Sequence, residues 1–393
     1  MRHAEAMSLA AGSVYLDWNA TAPLAAAARA ALHACLDDER LGNPSSLHAA
    51  GRRARTLLEE ARRTLAECLE SSPEEIVFTS GGTEANALFL RGAAARLEPG
   101  LIAVSAVEHS SVYETARLLA AHGWRLVEIP VDAEGRIDPF AFERILRERP
   151  AIVSVMLAHN ETGVIQDVAS LARAAREAGA LVHCDAVQAV GKMPLSRRAL
   201  GVHALTLSGH KFGAPTGIGA LVLAREVALA PLLTGGGQEA GRRSGTENVP
   251  GAMAMAAALV EALEARESLH ARLHALQQRL EAGLAAQGAV IFGASAARLP
   301  NTTFFALPGL EGAALAGVLD RTGFAVGTGS ACSSGEPGAP RSLLAMGVPE
   351  ALARGAVRVS TGRSTTEADI DGFLAALAQA AGQLRRLAAL CAD

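Results

Sequence analysis

The stretch "ALVHCDAVQAVGKMPLSRRALGVHALTLSGHKFG", residues 180–213, contains two apolar, strand-like runs separated by one crossover. The first run ends at Asp185, and Lys211 follows the second run 26 positions later. This separation is about the length of one strand–crossover–strand unit, so the two strands can be parallel neighbours in one sheet. Because parallel neighbours end at the same edge of a sheet, we expect Asp185 and Lys211 to lie at one rim.

Apolar runs alternate with helical stretches over most of the chain before residue 250. The stretch 55–70 is typical of the helices, since Leu58, Ala61, Leu65 and Leu69 fall on one stripe opposite charged residues. The alternation predicts an α/β fold with a largely parallel sheet covered on both faces. Strands are predicted at 75–80, 101–106, 125–131, 151–157, 180–185, 204–209 and 219–224.

The pattern changes near residue 250, where one long alanine- and leucine-rich helix is predicted to run to about residue 287. Strand-like runs at 301–309 and 355–362 follow, and these predict a smaller α+β domain. We therefore expect a large domain over residues 19–262 and a small domain formed by residues 1–18 and 263–393.

Composition excludes several classes of protein. No apolar run approaches the length of a membrane span, and the net charge of −4 gives no preference for nucleic acid. The five cysteines form no C-x-x-C pair, so neither a disulfide framework nor a zinc site is indicated. The N-terminus is a poor secretory signal, and we expect a soluble cytoplasmic protein.

The segment "TSGGTEAN", residues 79–86, follows the first predicted strand of the sheet. Glycines such as Gly82 allow close approach of the backbone, and Thr83 stands where a helix begins. Free N–H groups and a hydroxyl at a helix start can bind an anion such as phosphate. The alternative is an ordinary helix cap, in which threonine is common.

Other strand ends also carry polar residues that converge on the same predicted rim, namely His109, Asn160, Asp185, Gln188 and Lys211. A partly buried lysine amine can attack a carbonyl, and a carboxylate can hold a cationic ring nitrogen. A phosphate site, an acidic partner for a ring nitrogen and a nucleophilic lysine are together what pyridoxal phosphate requires. The pattern therefore predicts that Lys211 bonds the aldehyde of this cofactor.

Two later segments add candidate residues. Residues 233–251 contain three consecutive glycines and the triplet Ser244, Gly245 and Thr246, a composition that suits anion binding or a subunit boundary. Cys332 lies in "GTGSACSSGEPGAP", residues 327–340, with no apolar pattern around it. Structural cysteines are usually buried, so reactivity of the Cys332 thiolate is the better explanation.

At this point the sequence closely resembles the cysteine desulfurases, in the class V aminotransferase group of fold-type I pyridoxal phosphate enzymes. The resemblance extends over nearly the whole chain. It includes the blocks "YLDWNATAPL", "GNPSSLH", "FTSGGTEANAL", "VEHSSV", "HNETGVIQD", "HCDAVQAVGK", "SGHKFGAPTGIGAL", "GGGQEAGRRSGTEN", "GSACSSG" and "VRVSTGR" in the family's order.

The resemblance implies a role for each candidate residue. Lys211 would bond the cofactor, Asp185 would pair with the ring nitrogen and Cys332 would accept sulfur. His109 would stack on the ring and take part in proton transfer, and Gln188 would donate a hydrogen bond to the phenolic oxygen. The residues that would bind the phosphate are Gly82, Thr83, Ser208, His210 and, across a homodimer, Thr246. The residues that would bind the substrate are Asn19, Asn160 and Arg358.

The resemblance also implies the reaction and its partners. L-Cysteine would become L-alanine, and its sulfur would remain as a persulfide on Cys332 before passing to an acceptor protein. Iron–sulfur cluster assembly and other sulfur trafficking are both open as the destination. The sequence departs from the family pattern at two places. Trp18 replaces an asparagine, which concerns local packing, and the segment after Cys332 is rich in proline and glycine, which concerns the choice of acceptor.

Several alternatives remain open or are disfavoured. A selenocysteine lyase or a class V aminotransferase would use much of the same site, although an aminotransferase does not need Cys332. The segment "AVQAVGKM", residues 186–193, lacks the first glycine and the Ser/Thr of a P-loop. His270 and His274 are spaced as helical metal ligands but lack the glutamate of H-E-x-x-H, so no metal site is predicted.

Overall fold

All seven strands predicted before residue 250 occur in the computed structural model, which describes residues 13–329 and 338–390. The strands of these described parts are β1 (Val14–Tyr15), β2 (Ile76–Thr79), β3 (Leu101–Ser105), β4 (Arg125–Ile129), β5 (Ile152–Ser154), β6 (Leu181–Asp185), β7 (Ala204–Ser208), β8 (Gly219–Leu223), β9 (Val290–Ile291), β10 (Thr302–Ala306), β11 (Phe324–Ala325), β12 (Gly327–Thr328) and β13 (Ala356–Ser360).

The large sheet has seven strands in the order β2-β8-β7-β6-β5-β3-β4. Neighbouring strands pair in parallel, except that β8 is antiparallel to both β2 and β7. The connection from β7 to β8 covers only residues 209–218, which is too short for the crossover that a parallel pair needs. The predicted α/β fold with a largely parallel sheet is confirmed.

Helices cover both faces of this sheet. Side chains of the strands alternate between the faces, so Ile76 and Phe78 enter one apolar core while Val77 enters the other. The described helices are α1 (Ala26–Leu36), α2 (Ala49–Cys68), α3 (Gly82–Ala94), α4 (Ser110–Ala120), α5 (Pro139–Arg147), α6 (Val168–Glu177), α7 (Arg197–Leu200), α8 (Val249–Glu264), α9 (Arg266–Ala286), α10 (Gly312–Arg321), α11 (Arg341–Ala345), α12 (Glu350–Ala353) and α13 (Glu367–Leu390).

The first core lies between the sheet and helices α1, α2, α5, α6 and α8, and the second lies beneath α3 and α4. The predicted stripe on α2 is buried, with Leu58, Ala61 and Leu65 all in the first core. Among the described residues, no helix combines the length and hydropathy that a bilayer crossing requires.

The later part of the chain forms a second sheet of four strands in the order β12-β13-β10-β9. Helices α9, α10 and α13 pack on it through residues such as Leu276, Leu315 and Phe373. The N-terminal segment joins this region, since β1 pairs with β11 and Asp17 bridges to Ser360. The division at residue 262 stays a prediction.

The prediction of one continuous helix from 250 to 287 was wrong in one respect. The helix breaks at Ala265, between α8 and α9. No proline or glycine causes the break. Instead α8 packs in the first core through Met255, whereas α9 packs on the second sheet through Leu276 and Leu280, and the two faces require different directions.

Trp18, the departure from the family pattern, is buried against Gly362. A Cβ atom on Gly362 would lie 2.0 Å from Trp18 Cδ2. We therefore expect Gly362→Ala to lower the free energy of unfolding by about 1–3 kcal/mol, because the ring must move out of its packed position.

Gly317, inside α10, provides the matched control. A Cβ atom on Gly317 would have Arg321 Nη1 as its nearest neighbour, at 3.8 Å, so Gly317→Ala meets no obstacle. Alanine is favoured over glycine in a helix by up to about 1 kcal/mol, so this variant should be as stable as the wild type or more stable. Urea-induced unfolding measures both, and equal effects would contradict the role of Trp18.

Candidate active site

A cavity of about 330 Å³ lies at the carboxyl-terminal rim of β6 and β7, where Asp185 and Lys211 stand. The adjacent parallel strands bring these two residues to one rim, as the sequence analysis expected. The cavity also collects most of the other predicted residues: Asn19, Gly82, Thr83, His109, Asn160, Gln188, Ser208, His210 and Arg358.

Two predicted site residues are not placed in this cavity. Thr246 is exposed and does not line the cavity of its own chain. Cys332 lies outside the described residues. Its neighbours along the chain, Gly329 and Ala339, border a second cavity of about 510 Å³ that shares His109 and Thr83 with the first.

Asp185 is buried at the floor of the cavity, and two donors fix its carboxylate. Asn86 Nδ2 donates to Oδ2 at 2.8 Å, and the backbone N–H of Val187 donates to Oδ1 at 3.0 Å. Asn86 Nδ2 also donates to Ser111 Oγ at 2.9 Å. The carboxylate is therefore held in one orientation before any ligand binds.

His109 is the N-cap of α4, and the backbone of that helix sets its tautomer. The Ser111 N–H donates to His109 Nδ1 at 3.1 Å, so in the neutral ring the proton resides on Nε2. Burial lowers the pKa of His109, and nearby Lys211 adds to this, while Asp185 opposes it. The site thus contains a neutral imidazole with an N–H group at Nε2.

The start of α3 provides an anion site beneath Ser208. The helix is capped by Gly81 without a side-chain hydrogen bond, so its first N–H groups receive no side-chain acceptor. A Cβ on Gly82 would come within 2.9 Å of Val187 Cγ2 and 3.3 Å of Ser208 Cβ. Only glycine leaves room for the backbone to approach a ligand here.

His210 adds a polar ring to the same side of the cavity. Its Nδ1 lies 2.6 Å from Thr21 Oγ1. Burial and the neighbouring Lys211 lower the pKa of His210 to about 4, so the ring is neutral at physiological pH. A neutral ring paired with a hydroxyl can orient an N–H group toward an anion without adding a charge.

Lys211 follows β7 on a short 3₁₀ turn, Gly209–Lys211. Its Nζ donates to the carbonyl oxygens of Asn19 at 2.8 Å and Ala20 at 2.9 Å. The amine is therefore held at the cavity by the N-terminal segment of the chain and does not extend into solvent.

Asn19 lies deeper than a residue at a substrate entrance. It is 1% exposed, and its amide nitrogen donates to Thr302 Oγ1 at 2.8 Å and to the Asn160 carbonyl at 3.1 Å. Its amide oxygen accepts from Asn301 Nδ2 and Lys192 Nζ, both at 3.0 Å. These four bonds satisfy the amide, and direct substrate binding by its side chain stays a prediction.

Arg358 enters the cavity from β13 of the second sheet. Its Nη1 donates to the Asn160 carbonyl at 2.9 Å, and its Nη2 contacts Asp17 Oδ1 at 2.7 Å. Its Nε is buried without a partner among residues 13–329 and 338–390. Nη1 and Nη2 each have a second N–H group, so the guanidinium, which lines the cavity, has donors left for a ligand such as a carboxylate.

Sequence reasoning missed Asn86 and Lys192. Asn86 stands three residues after Thr83, so the two share one face of α3, and this spacing could have identified it. Lys192 was noticed only as part of a rejected P-loop. Its position four residues after Gln188 gave no signal, because the intervening residues form turns and not a helix.

His183 lies on β6 two residues before Asp185 and is fully buried. Its ring nitrogens contact Ser154 Oγ at 2.8 Å and Thr206 Oγ1 at 3.0 Å, and its ring stacks on Phe89. Burial lowers the pKa of His183 from 6.5 to about 4, although Asp185 opposes the shift.

We expect His183 to make the protein less stable as the pH falls. Because the folded pKa lies below the unfolded one, the unfolded state binds the proton first. The contribution of His183 to the free energy of unfolding is complete above about pH 6.5 and is lost toward pH 4. The loss attributable to this group is about 3 kcal/mol at pH 4.

The variant His183→Gln should unfold more easily at pH 7 but lose less stability between pH 7 and pH 4, as measured by urea unfolding at each pH. His122→Gln is the control, since His122 is exposed and its replacement should leave the slope unchanged. A slope in His183→Gln equal to that of the wild type would contradict the assignment.

Comparison with known proteins agrees with this architecture. Residues 14–373 match the sequence profile of the family described as class-V aminotransferases. A cysteine desulfurase of Gluconacetobacter diazotrophicus is 43% identical over 95% of this chain and 95% of its own length. An IscS-like cysteine desulfurase of Mycobacterium tuberculosis is 41% identical over 95% and 98%. A solved structure described as a NifS-like protein is similar with a TM-score of 0.88 at 35% identity, over 93% of this chain and 98% of its own.

The chain belongs to the class V aminotransferase family, and its fold is that of the NifS-like structure. The relatives that match almost its full length carry a narrower activity. Within the family, the chain is a cysteine desulfurase.

Proposed function

We propose that the cavity holds pyridoxal 5′-phosphate, with Lys211 bonded to its aldehyde and Asp185 paired with its ring nitrogen. The observation that carries this proposal is the position of the two residues at the ends of neighbouring parallel strands in one cavity. Asn86 and the Val187 N–H hold the Asp185 carboxylate as a fixed acceptor, which a protonated ring nitrogen requires.

Other features of the cavity fit the same cofactor. The glycine cradle at Gly82 and the start of α3 suit a phosphate group, together with Thr83, Ser208 and His210. Asn86 Oδ1 is buried without a partner among the described residues, so the floor of the cavity also offers an acceptor.

When bound, the cofactor supplies an electron sink that makes the Cα proton of an amino acid acidic. The residues of this chain would bind and orient the amino acid around it. Arg358 would bind the substrate carboxylate through the remaining N–H groups of Nη1 and Nη2, with Asn160 beside it. Lys211 would accept the Cα proton at Nζ, and the neutral His109 would stack on the ring and hold a proton at Nε2.

For L-cysteine as substrate, Cys332 would complete the reaction. Its thiolate attacks the substrate sulfur, a new S–S bond forms and the Cβ–S bond breaks, with the electron pair passing to the substrate carbon. Protonation then gives L-alanine, and the persulfide passes to an acceptor protein. Cysteine and a thiol thus yield alanine and a persulfide without an external oxidant. The position of Gly329 and Ala339 beside His109 supports access of this segment to the site.

We further propose that the enzyme is a cytoplasmic homodimer that donates sulfur to an acceptor protein, in iron–sulfur cluster assembly or another sulfur-trafficking route. Cys35, Cys68 and Cys184 are free thiols, and this supports a reducing compartment. The exposure of Thr246, away from the cavity of its own chain, supports a role in the cavity of a second copy. Action on selenocysteine is the alternative that uses the same residues.

The decisive variant for sulfur transfer is Cys332→Ala. We expect alanine formation from L-cysteine to fall by at least about 10³-fold, since removal of a catalytic nucleophile costs this much or more. Persulfide on the protein, detected by alkylation and mass spectrometry, should disappear. The visible spectrum of the bound cofactor should stay unchanged.

Cys68→Ala is the matched control, because Cys68 is a free thiol on α2. It packs against the first core, away from the cavity. This variant should keep full activity. Retained alanine and persulfide formation in Cys332→Ala would contradict the proposed role of Cys332, and transamination that survives in this variant would favour an aminotransferase. Selenocysteine assayed in parallel tests the remaining alternative, since a lyase would release alanine from it without Cys332.

The dimer proposal predicts an effect of Thr246 on cofactor binding. Thr246→Val should weaken pyridoxal phosphate binding by about 10-fold to 100-fold, the value of one hydrogen bond to a charged group. Titration of the apoprotein by fluorescence measures this, with Thr56→Val, exposed on α2, as the control. Unchanged affinity in Thr246→Val, or a monomer in sedimentation analysis, would contradict the proposal.

A further inference from the structure

The chain contains only two lysines, Lys192 and Lys211, against 34 arginines among its 36 basic residues of these two types. Positive side-chain charge is therefore provided by arginine at all the remaining positions. Arginine is always charged and presents a wide planar fork, whereas lysine presents a compact amine. The two lysines are thus exceptions to the chain's use of arginine. One of them is the proposed cofactor attachment site.

The second lysine lies beside the first. Lys192 Nζ donates to Gln188 Oε1 at 2.9 Å and to Asn19 Oδ1 at 3.0 Å. Both lysines also contact the same residue, because Lys211 Nζ donates to the Asn19 carbonyl. Lys192 borders a mainly apolar cavity of about 90 Å³ on the other side of these residues, which offers few acceptors for the five N–H groups of a guanidinium.

These contacts determine the orientation of the Gln188 amide. The nitrogen of Lys192 donates to Gln188 Oε1, so Oε1 faces the lysine and Nε2 faces away from it. One N–H of Nε2 is donated to the Asn19 carbonyl at 3.0 Å. Because the amide nitrogen has two N–H groups and Gln188 lines the cavity, the second N–H can serve a ligand.

The orientation of the Gln188 amide does not depend on a permanent charge at Lys192. Burial, together with Lys211 and Arg358, lowers the pKa of Lys192 to about 7. Even a neutral amine has two N–H groups, which is the number that Gln188 and Asn19 accept. Rotation of the Gln188 amide would instead place Oε1 against the carbonyl oxygen of Asn19, two acceptors facing each other, so the observed orientation is the stable one in either protonation state.

We propose that Lys192 is a positioning residue that locks the Gln188 amide with an N–H group directed at the cofactor's phenolic oxygen. The inference rests on the proposed function, since it requires pyridoxal phosphate in the cavity. A donor to that oxygen stabilises its anionic form and so favours the deprotonated chromophore. Lys192 would therefore act on the cofactor through Gln188 without touching it.

The test is a pH titration of the visible absorbance of the reconstituted protein. Lys192→Met keeps most of the length of the side chain but removes its N–H donors. In this variant the titration midpoint should rise by about one pH unit. The affinity for pyridoxal phosphate should fall about fivefold to tenfold. Gln188→Leu should shift the midpoint in the same direction. The double variant should shift it no further than Gln188→Leu alone, because both changes remove the same hydrogen bond.

Two further variants separate positioning from a merely structural role. Lys192→Gln retains an amide donor, so its midpoint should lie between those of the wild type and Lys192→Met, and it replaces the latter if that variant is insoluble. Arg363→Met removes a cation that borders the same small cavity without contacting Gln188, and it should leave the midpoint unchanged.

The outcomes are distinguishable. A wild-type protein that forms no borohydride-reducible bond at Lys211 would overturn both the proposed function and this inference. Borohydride trapping followed by mass spectrometry locates that bond directly, since only two lysines are present. If the wild type titrates normally and Lys192→Met changes only the thermal stability, this inference is overturned but the proposed function is not. Additive shifts in the double variant would also overturn it.

Discussion

The buried amide and carbonyl of Asn19 connect every part of the site. The amide oxygen and nitrogen bond to Asn301 and Thr302 of the second sheet and to Lys192 and Asn160 beside the first. The backbone carbonyl accepts from Lys211 and from Gln188. An amide in a dry interior must fill all of its hydrogen bonds, and here each one restrains a different element. The relative position of Arg358, on the second sheet, and Lys211, on the first, therefore depends on this one residue.

The electrostatics of the cavity suit an anionic occupant. Lys211 and Arg358 line it, whereas Lys192 lines the smaller cavity behind it, and burial keeps His109 and His210 neutral by lowering their pKa values. The nearby carboxyl of Glu108 adds no opposing charge, because burial beside Asp185 raises its pKa to about 8. Asp17 neutralises part of Arg358. Asp185 and Asp17 balance the charges of Lys211 and Arg358, so the site offers two cationic groups to anionic ligands while carrying little net charge of its own.

The strands and the rim of the large sheet were predictable from sequence because both depend on local pattern. Apolar runs of four to eight residues give buried parallel strands, and polar residues that follow them reach the same edge whatever the crossovers do. The break at Ala265 was not predictable, since it comes from two packing surfaces that meet only in three dimensions. Asn86 was missed because it lies inside α3 and not directly after a strand, where the candidate residues were sought. Lys192 was hidden because its role depends on Asn19, 173 positions away in the chain.

The two cavities that flank the site differ in a way that bears on the route of sulfur. The cavity behind Lys192 and Lys211 has only about 90 Å³ and is lined by apolar residues such as Phe212, Leu269 and Leu273. The one beyond His109 has about 510 Å³, carries Arg341, Glu114 and Ser342, and borders Gly329 and Ala339. Polar surroundings favour a thiolate and an amino acid over apolar ones, and of these two cavities the one beyond His109 provides them. The apolar side offers few competing partners to the amines, which donate to Asn19 and Gln188. The two sides of the site thus differ in character, polar beyond His109 and apolar behind the lysines. Arg358, Asn160 and Asn19, which are joined by hydrogen bonds, lie between them.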